Sequence, residues 1–166
     1  MSNGALVTTD GVVPSVPPVE AETVTIATPT SSFETPSVGS SAAGSAGSSW
    51  TFNATAGIQR NGWACSGSAH TPDGAQTIYL QGLNGHLGSA SQVLTFPAWT
   101  FALTFSAVRR GGNLQLVRVS VDGMVVGTYT PTTSTFSSIT TADFSVGAGP
   151  HTVVFSATDG TATGPP

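Results

Sequence analysis

Lysine is absent from this chain, and only 7% of its 166 residues are charged, against about 25% in an average soluble protein. Four Arg against eight Asp and Glu leave a net charge of −4. A nucleic-acid partner needs clustered Lys and Arg to neutralise phosphates, which four scattered Arg cannot supply. No uninterrupted apolar run approaches the ~20 residues of a spanning helix, so membrane insertion is not expected. The single cysteine, Cys65, makes neither an intramolecular disulfide nor a zinc site by itself and reads as a small packed residue. No segment carries apolar residues at 3.6-residue spacing over three turns, so almost no helix is expected.

What the chain does contain is 46 Ser and Thr, 20 Gly and 39% hydrophobic residues. The hydrophobic residues fall in alternating runs that can bury a core, which excludes disorder throughout. The first residues, Met1-Ser2-Asn3-Gly4, show no basic region followed by an apolar stretch, so no signal peptide is expected. The body has the polar, uncharged composition of a protein displayed outside a cell, yet its start is that of a cytoplasmic one. Either a chain trimmed from a longer exported protein or a phage particle component made in a host cytoplasm and released by lysis would reconcile the two.

Residues 1–22 read as an extended Pro-rich arm, with Pro14, Pro17 and Pro18 close together, and residues 23–166 as the folded domain. Such a lead favours polyproline geometry and either hangs free or lies on a neighbouring subunit. In the domain, Thr23–Thr28, Trp50–Phe52, Thr77–Leu80 and Gln92–Phe96 read as strands. The clearest signal is Trp99 to Arg110, where Trp99, Phe101, Leu103, Phe105 and Ala107 alternate with Thr100, Ala102, Thr104 and Ser106, the mark of a half-buried strand. Asp122-Gly123 between Val117–Val121 and Met124–Thr130 predicts a two-residue hairpin with positive φ at both central positions. Short strands over Thr135–Ile139, Thr141–Val146 and His151–Thr158 follow. About eight to ten strands with turns every ~8–12 residues predict an all-β antiparallel β-sandwich, of jelly-roll type.

Several segments together resemble a known class. They are Ser32-Phe33-Glu34-Thr35-Pro36, Trp50-Thr51-Phe52 with Ala56-Gly57-Ile58, Pro72-Asp73-Gly74-Ala75-Gln76-Thr77, Leu80-Gln81-Gly82, Val119-Ser120-Val121-Asp122-Gly123 and Gly149-Pro150-His151-Thr152-Val153. The series, spanning roughly Val24 to Asp159, is similar to the galactose-binding-like, carbohydrate-binding-module-like jelly rolls of bacterial and phage surface proteins. The resemblance implies a fold more securely than a ligand. Modules of that class close with an apolar strand after the last hairpin, whereas this sequence runs Asp159-Gly160-Thr161-Ala162-Thr163-Gly164-Pro165-Pro166. Either the sequence stops short of that strand, or the N-terminal arm or a strand from another subunit fills the gap, because an uncovered sheet edge invites aggregation.

For catalysis the chain offers little. Asp10, Glu20 and Glu22 lie in the arm, Asp73 and Asp122 read as turn residues, and Glu34, Asp143 and Asp159 share no spacing that implies a common site. His70, His86 and His151 form no metal-ligand pattern, and there is no nucleophile elbow or phosphate loop. No enzyme activity and no cofactor are expected; Ca2+ occurs in related jelly rolls, but no acidic cluster here supports it. For glycan binding, Trp63 stands in a Gly- and Ser-rich loop with Asn61, His70, Asp73 and Gln76 nearby. A ring there acts either as a lid over the sandwich end or as a stacking platform. Trp50 and Trp99, at strand starts, are expected in the core, and Tyr79 is open. Arg109 and Arg110, with Pro14, Pro17 and Pro18, are the candidate subunit contacts. Two roles follow as expectations. One is a non-catalytic virion-surface protein (capsid decoration, head-fibre or tail) that associates with itself or other virion proteins. The alternative is a glycan-binding accessory module of a secreted or cell-surface bacterial protein.

Overall fold

Period-two patterning sets the main strand of the fold, β8 (Trp99–Arg109). Phe101, Leu103, Phe105 and Ala107 are all buried on one of its faces, as alternation requires. The computed structural model describes residues 3–14, 33–63, 69–83, 85–110 and 114–158. Among the described residues there is no helix. The other strands are β1 (Asn3–Pro14), β2 (Ser41–Ala43), β3 (Thr51–Phe52), β4 (Ala56–Arg60), β5 (Gln76–Leu83), β6 (His86–Leu87), β7 (Ser89–Phe96), β9 (Val117–Val121), β10 (Met124–Tyr129), β11 (Ser137–Thr140), β12 (Phe144–Val146) and β13 (Gly149–Ala157).

The strands form two antiparallel sheets of a β-sandwich, the expected fold class. The larger runs β11-β8-β1-β5-β4-β2, with β12 also on β8 and β6 on β5; the smaller runs β10-β9-β13-β7-β3. The chain passes between sheets at β2–β3, β3–β4, β6–β7, β7–β8, β8–β9, β10–β11 and β12–β13. Between them, Phe105 meets Phe155 edge-on at 5.1 Å, Phe155 meets Trp50 at 5.9 Å, and Trp50 meets Phe33 at 5.5 Å. A second aromatic group joins Phe96 to Phe101 at 5.0 Å and to Phe144 at 6.2 Å. Such tilted and edge-to-face pairs contribute about 0.5–1.5 kcal/mol each beyond their buried area. Tyr79 is also buried, on the opposite face of the larger sheet, where it packs with Val108, Ala69 and Phe136.

The Asp-Gly hairpin is present as expected. Asp122 and Gly123 have φ of 49° and 82°, and Val121 pairs directly with Met124 across them. Trp99 departs from expectation: it continues the apolar face of β8 but remains 38% exposed. It stands at the rim, immediately after the Pro97-Ala98 crossing between sheets, where its register partner is Val146 of the three-residue strand β12. The short strand β4 escaped the alternation reading because it is buried on both faces, with Ala56, Gly57, Ile58 and Gln59 all covered. Gly57 is required there, since a Cβ would come within 2.0 Å of the Ala42 carbonyl oxygen.

The N-terminal arm needs the largest correction. Residues 3–14 are a strand, paired with β5 from Asn3 to Val7 and with β8 from Ala5 to Pro14. The alternation is hidden by a bulge. Up to Thr9 the partners of core-facing β8 residues are odd-numbered, whereas beyond the register shift Val12 pairs with Leu103 and Pro14 with Phe101. One inserted residue flips the phase of all that follow. Residues 3–14 thus lie in the middle of the larger sheet, between β8 and β5. The expected strand over Thr23–Thr28 and residues Pro17 and Pro18 lie outside the described residues.

Candidate functional site

The long excursion between β4 and β5 carries the candidate ligand residues, and it is held by hydrogen bonds that use up several of them. Asn61 follows β4 and donates its backbone N–H to the Ala75 carbonyl at 2.8 Å. Its Oδ1 accepts the Thr71 N–H at 3.1 Å, and its Nδ2 donates to the Gly74 carbonyl at 3.4 Å. The Thr71 hydroxyl donates to the Asp73 carbonyl at 2.6 Å, so Asn61 and Thr71 together close the turn through Asp73 and Gly74.

A second strip of chain docks on this turn. One carboxylate oxygen of Glu34, Oε1, accepts the N–H groups of Ala75 at 2.9 Å and Gln76 at 2.8 Å. Gln76 then holds residues 33–38: its Nε2 donates to the carbonyls of Phe33 at 2.6 Å and Pro36 at 3.0 Å, and its Oε1 accepts the Val38 N–H at 2.5 Å. Gly74 sits at φ +66°, where a Cβ would come within 2.2 Å of the Glu34 carboxylate. Gln76 is buried, and its carboxamide is fully engaged in holding residues 33–38. Asn61 is half-buried and likewise committed to the loop.

Three of the five candidates stay at the surface. Trp63 is 47% exposed, with its backbone N–H donating to the Arg60 carbonyl at 3.2 Å, and His70 and Asp73 are exposed. With Trp99 at the rim of the sandwich, the molecule carries two exposed tryptophans. Arg109, half-buried at the end of β8, donates its N–H to the Thr133 carbonyl at 3.1 Å; Arg110 is half-buried beside it. Cys65 lies outside the described residues, and among those described no group of three or more His, Cys, Asp and Glu is arranged to hold a metal ion.

Sequence reading missed a titratable pair, His151 and Asp122, whose pKa values are shifted in opposite directions. His151 Nδ1 lies 2.5 Å from Asp122 Oδ2, and Nε2 lies 2.9 Å from the Gly147 carbonyl. Asp122 Oδ1 also accepts the Thr152 N–H at 2.8 Å. Both ring nitrogens face acceptors, so only the imidazolium donates to both at once. The Asp122 hydrogen bond, then the Gly147 carbonyl, raise the His151 pKa above its usual value. The His151 hydrogen bond, then the Thr152 amide, lower that of Asp122. The signal in the sequence was an Asp-Gly turn and a His after a Gly-Pro turn; their pairing required the β9–β13 register, in which Val121 meets Val153.

No protein-family model and no curated protein matches this sequence. The likeness to galactose-binding-like modules therefore extends as far as the antiparallel β-sandwich.

Proposed function

We propose that this chain is a non-catalytic structural module displayed on a virion surface, in a capsid decoration, head fibre or tail. The observation that carries this reading is that five polar side chains capable of chemistry are committed to holding the fold. Glu34, Asn61 and Gln76 anchor loops, and Asp122 and His151 join two turns. What the molecule presents carries little charge. The outer face of the smaller sheet includes Ser91, Val93, Thr95, Ser120, Val125 and Thr152, with Arg118 beside them, and a face so sparsely charged lets copies crowd together with little mutual repulsion. Light scattering after sizing tests the reading. A fixed oligomeric mass across a tenfold range of concentration is expected, and a monomer at every concentration overturns it.

The second reading, a glycan-binding module, is favoured by a different observation: Trp63 is about half exposed, two residues from Asn61, which accepts the Thr71 N–H. A rigid aromatic platform is what stacking on a sugar face demands. Retention on immobilised polysaccharides by the parent chain, lost in Trp63→Ala with an unchanged melting curve, is the result this reading requires. Equal retention by both removes it.

A further inference from the structure

We propose that the outer face of the smaller sheet is the contact surface between two copies of this chain. The copies pack face to face about a two-fold axis that runs across the strands, along the row Val125, Ser120, Val154 and Ser91. The inference rests on the self-association of the structural reading above and names the surface that carries it.

The two outer faces of the sandwich differ. On the larger sheet, alternation turns Gln59, Thr77, Tyr79 and Ser106 away from the core between the sheets, yet all four are buried, so that face is already covered. On the smaller sheet the same alternation leaves Val93 63% and Val125 52% exposed, with Thr95, Arg118 and Thr128 also open to solvent. Ser, Thr and Val are short, so a second flat face can approach to the ~10 Å spacing of stacked sheets. The face spans the four strands β10, β9, β13 and β7. With six or seven residues along each strand it measures roughly 20 by 25 Å. Covering it on both copies removes about 1,000 Å² from water, the size at which a specific interface begins.

The two-fold axis matches this face to itself. Residues of the central row meet their own counterparts, so Val125 lies on Val125 and Val154 on Val154, apolar against apolar. Residues two positions to either side exchange. Val93 pairs with Thr152, and Ser89 with Ser156, within one copy; across the axis Val93 meets the second copy's Ser89 and Thr152 meets its Ser156. Along β9, Arg118 and Asp122 stand two residues before and after Ser120. Each Arg118 therefore comes to the other copy's Asp122, whose carboxylate stays half exposed beyond its bond to His151. Opposite charges meet twice, and this self-complementarity favours a second copy over an unrelated surface.

A residue on the axis supplies the test, because it faces only itself. Val125→Glu sets two carboxylates against each other, and Val125→Lys two ammonium groups. In light scattering after sizing, each variant alone should show half the mass of the parent oligomer. An equimolar mixture of the two should restore that mass, since Glu then faces Lys. Should either variant fail to fold, as judged by its melting curve, the same pair of substitutions is made at Ser120, also on the axis. Parent-like mass in both single variants removes this interface while leaving an oligomeric module standing. Dissociation that mixing does not reverse overturns the two-fold packing. A monomeric parent overturns both this inference and the structural reading.

Discussion

At Gln76 the sandwich holds a loop with a buried neutral amide; at His151 it holds a pair of turns with an exposed ion pair. Both join segments distant in sequence: Gln76 reaches back 43 residues to Phe33, and His151 reaches Asp122 across 29. The physics differs. The Gln76 carboxamide is away from water, so its three hydrogen bonds cannot be replaced by solvent if lost, and each orphaned backbone group carries a desolvation cost. Asp122 is half exposed and water can take over its bonds, so that clamp contributes little to total stability. What it adds is dependence on pH, which a carboxamide cannot have. Where a clamp must be strong it is buried and uncharged, and where it responds to solvent it is charged and open.

Substitutions at the buried clamp should produce the largest effects. Gln76→Glu replaces two donated hydrogen bonds by a carboxylate facing the carbonyls of Phe33 and Pro36, and should cost about 3 kcal/mol, a sizeable fraction of a domain's stability. Urea unfolding measures it; a loss below about 1 kcal/mol would mean that residues 33–38 are held by something else. Gly74→Ala should cost about 2 kcal/mol, since a left-handed φ disfavours any Cβ and the added carbon displaces the Glu34 carboxylate. Glu34→Gln keeps one acceptor for the N–H groups of Ala75 and Gln76 while removing charge, so about 1 kcal/mol is expected. If Glu34→Gln and Gly74→Ala combine to less than the sum of their separate losses, they act on one contact.

The same contrast explains what the sequence made legible. β8 and the Asp122-Gly123 hairpin were readable because period-two alternation and a two-residue turn are local signals. β1 was not, because one bulge at residue 10 splits its apolar positions into opposite phases. Trp99 carried the right phase but is the first residue of β8 and stays 38% exposed, and phase alone does not report where a sheet stops. The candidate loop was located correctly between β4 and β5, yet residue type could not distinguish an amide that waits for a ligand from one that anchors backbone. Gln76 and Glu34 find their partners some 40 positions away, a relation that only the folded sheet creates.

The exposed clamp yields the smallest effect and the one with a sign that can be worked out in advance. His151 has a raised pKa, so its share of the stability is present below the usual value of 6.5 and lost as pH rises through the higher folded one. Asp122 has a lowered pKa, so its share is present above 3.8 and lost as pH falls through the lower folded one. The bridge is therefore fully formed between about pH 4 and 6.5. His151→Gln retains a polar side chain but cannot carry the charge. The melting temperature of the parent chain should exceed that of His151→Gln most at pH 5–6, with the gap narrowing towards pH 9 and again towards pH 2. A gap that is constant from pH 5 to 9 would mean that His151 holds Asp122 by shape rather than by charge, and the difference between the two clamps would then lie in burial alone.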